Sequence, residues 1–511
     1  MPSRRRTPRW TFALVSAGGV MMTLDVTVVN VALSGIARDL ESGLGQVQWT
    51  VSAYSLAFGA LLLSSGALSD RIGRRTVFTA GMALFTLASA GCGLAPDVGT
   101  LIAARAAQGV GGALVFAPTL ALIAAAYPEG ARRQGAIAAF AAIASAAGAL
   151  GPVVGGVLVD LLGWRWIFLV NVPIGVLVVA GALARMPESA APRDTRRRID
   201  PLGALLGVGA LLALHYPLVA GPEAGWASPQ VVLSAAVGVG LALALVASQR
   251  RGDGLIDLAL LRVRAFSGAA LLGFLARLTS LGVLAFVTLW LQSTHAYTPL
   301  EVGLHLLPLT GSLLIAGLFV ARLQRRFAAD ALVAGGFAAQ GAGLVLLAVA
   351  GAWGSAGPGS PTAGAATVIG LVLLGIGGAV IFPPLMGVAV SAVPADRAGM
   401  ASGLTNACYP LGTATGIAVF GALFSARVGE GLGPEAGVRA AVETGRFELV
   451  PAALQPLARS AFSGGFTAVC LAAALVCAVG VLAARTLRPE PEVPVDAAAQ
   501  ETPSARMAEA S

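Results

Sequence analysis

Three charged side chains lie deep within apolar sequence: Asp25, Arg105 and Arg277. A charge at the centre of a bilayer costs roughly 2.5–3.5 kcal/mol on insertion scales, so such residues face a cavity or a partner. Burial of a carboxylate favours its protonated form, and a nearby guanidinium favours proton release. Asp25 therefore has the chemistry of a proton carrier. Arg105 stands with Gln108, Gly109 and Gly112 at spacings that share one helical face. Other chemistries are excluded by residue usage. All 33 basic residues are arginine, whereas a Walker phosphate loop needs a lysine and a Schiff base needs a lysine amine. His215, His295 and His305 lack metal-ligand spacing. Cys92, Cys408, Cys470 and Cys477 fall in apolar segments and imply no disulfide framework. No catalytic residue, metal site or cofactor is expected.

The elements that hold these charges follow from composition. The chain is 57% hydrophobic and 11% charged, with a mean hydropathy of +0.82. A soluble chain carries about 25% charged residues, so most of this surface must face lipid. Fourteen apolar runs are long enough to cross a bilayer: about 10–37, 47–68, 76–95, 99–126, 134–161, 164–184, 201–219, 230–248, 265–291, 300–321, 331–352, 364–391, 398–425 and 462–484. Lipid satisfies no backbone hydrogen bond, so each must be a helix and the chain an all-α integral membrane protein. The first run is too long for a cleaved signal peptide and contains Asp25.

The net charge of +8 does not point to nucleic acid, because the arginines occupy short loops that orient helices. With the N-terminus inside, 25 arginines lie in cytoplasmic segments and six in outer loops, and both termini are cytoplasmic. The expected organisation is a cytoplasmic N-terminus (1–9), a six-helix half (10–184), a basic linker (185–200), a two-helix insert (201–248), a cytoplasmic loop (249–264), and a second six-helix half (265–485). An outer loop spans 426–461, with room for a short interfacial helix, and residues 486–511 read as a disordered tail.

Between the second and third runs stands Gly66-Ala67-Leu68-Ser69-Asp70-Arg71-Ile72-Gly73-Arg74-Arg75. A degraded copy, Ala321-Arg322-Leu323-Gln324-Arg325-Arg326-Phe327, follows the tenth run and lacks the acid. The first run carries Leu24-Asp25-Val26-Thr27-Val28-Val29-Asn30-Val31-Ala32-Leu33, and the fifth carries Gly148 followed by Gly151-Pro152-Val153-Val154-Gly155-Gly156. Gly163-Trp164-Arg165-Trp166-Ile167-Phe168-Leu169-Val170-Asn171-Val172-Pro173 and Ala401-Ser402-Gly403-Leu404-Thr405-Asn406 complete the set. Together these resemble the major facilitator superfamily, and within it the fourteen-span drug:proton antiporter branch with its 6+2+6 plan. The resemblance covers roughly residues 10–485.

It implies that Gly66, Asp70, Arg71, Gly73 and Arg74 form a conformational latch between the halves. It also implies that Arg105 takes part in proton transfer with Asp25, and that Gly151, Pro152, Gly155 and Gly156 are the antiporter signature of exporters. Two departures stand out: Ser34 replaces a usual proline, and Tyr409-Pro410 replaces a common Arg-Gln pair.

In the superfamily pattern the first, fourth, ninth and twelfth helices line a central cavity, so Asp25, Arg105 and Arg277 are expected to converge there. Thr23, Thr27, Asn30 and Ser34 form a polar stripe roughly opposite Asp25. The expectation is that Asp25 faces the cavity and the stripe packs on neighbouring helices. No motif of the resemblance demands Arg277. Two cations against one carboxylate point to neutral or anionic substrates, with a snorkelling or Asp25-paired Arg277 as the alternative. Further cavity candidates are Gln108, Tyr54, Phe116, Trp290, Gln292 and Asn406.

The expected activity is proton-coupled export of small, mostly hydrophobic organic molecules by a monomer in the bacterial cytoplasmic membrane. Its partners would be substrate, protons and lipid. A dedicated exporter of one endogenous metabolite is the alternative, and a membrane enzyme or receptor the distant one.

Overall fold

A computed structural model describes residues 7–127, 130–189, 200–250, 259–354, 361–394, 397–432 and 436–487. Most of the expected linker, all but the first two residues of the expected tail, and much of the loop after the insert lie outside these residues. Among the described residues fourteen helices are long and apolar enough to span a bilayer. We label them α1 (Pro8–Asp39), α2 (Leu44–Ile72), α3 (Arg74–Gly93), α4 (Val98–Ala126), α5 (Ala131–Leu162), α6 (Trp166–Arg185), α7 (Pro201–Pro222), α8 (Pro229–Gln249), α9 (Arg264–His295), α10 (Pro299–Gln324), α11 (Ala329–Trp353), α12 (Pro361–Ser391), α13 (Met400–Leu432) and α14 (Ala452–Leu487).

Two spans are interrupted where proline removes a backbone donor. In α6 the helix breaks at Val170, between Leu169 and Asn171, because Pro173 cannot bond back to the Leu169 carbonyl. In α10 it breaks at Leu306, where Pro308 likewise cannot bond back to the Leu304 carbonyl. The long α13 runs past the expected boundary at 425. A short helix, Ala436–Glu443, docks on it through Arg439 and Glu443, which both bond Ser425.

Helix pairing repeats. The first half packs α1 on α5, α2 and α3 on α4, and α3 on α6; the second packs α9 on α13, α10 and α11 on α12, and α11 on α14. Glycines make the equivalent contacts in each: Gly81 against Gly111 between α3 and α4, and Gly343 against Gly370 between α11 and α12. Without a hydrophobic force between helices in lipid, close backbone approach at small residues supplies the packing. The halves meet through α2–α13, α5–α10 and α1–α9. The pair α7 and α8 stands outside them, with α7 against α2 and α13.

The charged turn after α2 is held within its own half. Gly73 takes φ +117°, which only glycine adopts without strain. Arg74 pairs with Asp70 at 3.0 Å, while Arg75 and Thr76 bond Glu188 just beyond α6. Gly66 has no neighbouring atom within 4 Å of where a Cβ would stand, and Arg71 is exposed.

Candidate functional site

The N-terminal half encloses a charge network among α1, α2, α3, α4 and α6. Asp25 accepts from Arg105 Nη1 at 2.5 Å and from Gln108 Nε2 at 2.9 Å, with Asn171 Nδ2 at 3.3 Å. Arg105 also donates Nε to the Thr50 carbonyl and Nη1 to Gln108 Oε1. Gln108 Nε2 reaches Ser89 Oγ at 2.8 Å. The Asp25 and Arg105 side chains are 0% and 1% exposed, so the pair is sealed from solvent in this conformation. The guanidinium lies over the rings of Tyr54, at 4.5 Å, and Phe168, at 5.6 Å. A buried pair is stable only when its remaining hydrogen-bonding capacity is met. Gln108, Asn171 and Thr50 meet it here.

This geometry reverses the expected orientation of α1. Asp25 points into its own half, toward α4 and α6, and the polar stripe turns toward α5 and α9. Thr27 sits where Gly151 has no side chain, and Thr23 against Gly148. Ser34 donates to Gln292 Oε1, Gln292 Nε2 donates to the Val31 carbonyl, and Thr288 Oγ1 donates to the Asn30 carbonyl. The three central charges therefore do not converge. Arg277 does not pair with Asp25; its guanidinium lies 4.4 Å over Phe382 and 5.8 Å from Tyr409, all in the second half. The physical reason is that Asp25 is already neutralised and its oxygens occupied within the first half.

The other candidates divide. Gln108 and Tyr54 belong to the network, and Phe116 joins it at a distance through the Tyr54–Phe58 and Phe58–Phe116 ring contacts. Gln292 bridges the halves. Trp290 is not at a cavity: it is 1% exposed and stacked on Phe466 at 4.7 Å in the core of the second half. Asn406 donates to the Ser402 carbonyl of its own helix. Of the fifth-helix glycines, Gly151 and Gly155 admit Thr27 and Val28 of α1, and Gly156 lies against the backbone of Pro299 and Leu300 of α10.

Sequence reasoning missed Ser89 and Thr50, whose residue types carry no signal. Asn171 was visible within its motif, but only the fold brings it to Asp25.

The contacts between α1 and α9, and between α5 and the start of α10, lie toward the outer ends of these helices. They close the outer side around a small apolar space lined by Leu33, Gln48, Val51, Phe286 and Ile417. Gln292→Ala removes two hydrogen bonds between the halves, each worth about 1 kcal/mol. A cysteine at position 33, which lines that space and takes part in neither bond, is then expected to react about tenfold or more faster with a membrane-impermeant thiol reagent. An unchanged rate would mean that this contact does not hold the outer side shut.

Two pseudo-equivalent six-helix halves, joined at a seam and carrying charge in mid-membrane, define a secondary transporter fold. The chain belongs to the Major Facilitator Superfamily, whose family model matches residues 15–417. It is 37% identical over 430 residues to Multidrug resistance protein Stp of Mycobacterium tuberculosis (strain CDC 1551 / Oshkosh), covering 84% of this chain and 78% of that one. It is 35% identical over 408 residues to the Methylenomycin A resistance protein of Streptomyces coelicolor, covering 80% and 84%. Among solved structures, an inward-facing, unoccupied bacterial homolog of the human lysosomal transporter Spinster matches with TM-score 0.63 at 17% identity, over 96% of this chain and 99% of that one. This is a multi-pass bacterial cell-membrane protein of a transporter family.

Proposed function

We propose that the protein exports small, mostly hydrophobic organic molecules across the cytoplasmic membrane in exchange for protons. Residues 10–184 and 265–485 rock as two halves, the insert 201–248 rides outside them, and the protein works as a monomer. Export is supported by relatives named for multidrug and antibiotic resistance. Proton coupling is supported chiefly by one observation: the sealed Asp25–Arg105 pair on a helix that also closes the outer side.

The mechanism follows from that shared helix. Protonating Asp25 discharges the carboxylate that holds Arg105, Gln108 and Asn171 together. Asp25 and Ser34 are nine residues apart on α1, roughly 14 Å along the axis. A shift of α1 against α4 therefore reaches the Ser34–Gln292 contact directly. With the outer side open the site takes a proton; with the outer side closed the re-formed pair favours its release inward. The latch residues Gly66, Asp70, Arg71, Gly73 and Arg74 serve the opposite closure, at the cytoplasmic side.

The direct test is substrate-induced proton movement in proteoliposomes containing a trapped pH-sensitive dye. Adding transported dye on one side is expected to drive protons to that same side, as exchange requires. Substrate flux with no accompanying proton movement would sink the coupling.

A further inference from the structure

We infer that Arg277, Phe382 and Tyr409 form a subsite for the acidic group of an aromatic or flat apolar substrate. This rests on the export reading above and names the substrate class. Arg277 lies thirteen residues into α9 from Arg264, about 20 Å along the helix, too deep for its side chain to reach the cytoplasmic surface. No carboxylate among the described residues pairs with it. Its Nε is buried without a hydrogen-bond partner, although the residue as a whole is partly exposed. The hydroxyl of Tyr409 is likewise buried and unpartnered. Two donors are thus left unsatisfied on neighbouring side chains, the guanidinium carbon lying 5.8 Å from the tyrosine ring centroid, and an acidic group admitted between them would supply acceptors for both.

The rings supply the rest. The guanidinium plane rests over Phe382 at 4.4 Å, and Phe382 meets Tyr409 edge-on with centroids 5.0 Å apart. Tyr409 reaches this position because Gly273, one turn before Arg277, has no side chain; a Cβ there would lie 2.4 Å from the tyrosine ring. Three helices, α9, α12 and α13, therefore build a cation with apolar walls. The first half contains the opposite arrangement, a cation fully neutralised by Asp25 and its neighbours. The proton site and the anion site thus occupy separate halves. The inside-negative membrane potential then drives an exported anion outward.

The test uses the purified full-length protein in detergent and two xanthene dyes of similar shape, fluorescein as the acid and rhodamine 6G as the cation, with affinity read by fluorescence anisotropy. Fluorescein is expected to bind at least about tenfold tighter than rhodamine 6G, the weight of one hydrogen bond to a charged group. R277Q is expected to erase that preference without weakening rhodamine 6G. R277K, which keeps the charge and loses the planar fork, and Y409F are each expected to lose roughly threefold to tenfold for fluorescein alone. No preference for fluorescein in the unmodified protein overturns the inference. So does unaltered fluorescein affinity in R277K and Y409F, or equal loss of both dyes in R277Q that remains monodisperse. Because binding is measured without a gradient, an Arg277-dependent preference in a protein that moves no dye across vesicles would keep the subsite and reject export.

Discussion

Asp25→Asn is expected to abolish uphill export while leaving exchange of labelled for unlabelled substrate intact. A membrane potential of 100 mV supplies about 2.3 kcal/mol per charge moved, enough to sustain roughly fiftyfold accumulation. In the variant the accumulation ratio should fall to one, because the site has no proton to gain or lose. Asparagine keeps a carbonyl for Arg105 to donate to, and the Thr50 and Gln108 bonds to that guanidinium remain. These acceptors offset part of the cost of a buried cation that has lost its counter-charge, and the accumulation ratio is read on Asp25→Asn protein that remains monodisperse. Arg105→Ala is the contrasting case: it strands a carboxylate with no cation, a loss of about 3–5 kcal/mol for a broken buried pair. That variant should show reduced folded yield. If Asp25→Asn still accumulates dye in response to a pH gradient, Asp25 is a structural ion pair and the energy source lies elsewhere.

The second large effect concerns closure. Gly156→Val places new atoms where an added Cβ already lies 2.5 Å from the Pro299 carbonyl oxygen and 2.8 Å from the Leu300 Cα. Both are backbone atoms, so neither can swing aside. Gly303 makes the reciprocal approach to Pro152, so the crossing of α5 and α10 is tight from both sides. Overpacking of this kind costs about 1–3 kcal/mol, roughly a 5- to 150-fold shift of a two-state equilibrium. Export should fall to background, and a cysteine at position 33 should become accessible from outside. Gly135→Ala on the same helix is the control, since nothing lies within 4 Å of its added carbon. Wild-type export with an unchanged labelling rate in Gly156→Val would show that this crossing is not part of the transport cycle. The same glycines account for the fifth-helix motif physically: two faces of one helix must admit backbone from α1 and α10 at once.

Individual residues show how much could be read without coordinates. The fourteen spans, the charged turn at Asp70 and Arg74 and the repeated halves were legible, because the bilayer punishes every exposed backbone polar group and every misplaced charge. Arg105 and Gln108 were correctly placed on one face by helical spacing alone, and they do act on the same carboxylate. Trp290 looked like a cavity residue and is packed core. Gln292, one cavity candidate among several, instead bridges the halves together with Thr288. The polar stripe of α1 packs on its neighbours α5 and α9 as expected, whereas Asp25, expected at a central cavity, lies inside the first half.

The sequence by itself determined what lies in the membrane, how often the chain crosses it, and which few residues are too costly there to be without a role. Only the tertiary structure decided which helix face each residue presents, that Asp25 is satisfied within its own half, and that Arg277 has no carboxylate partner among the described residues. The reason is the solvent. A helix in water shows its packed face by a one-sided apolar pattern, but lipid and protein interior are both apolar, so a spanning helix is apolar all round and carries no such mark.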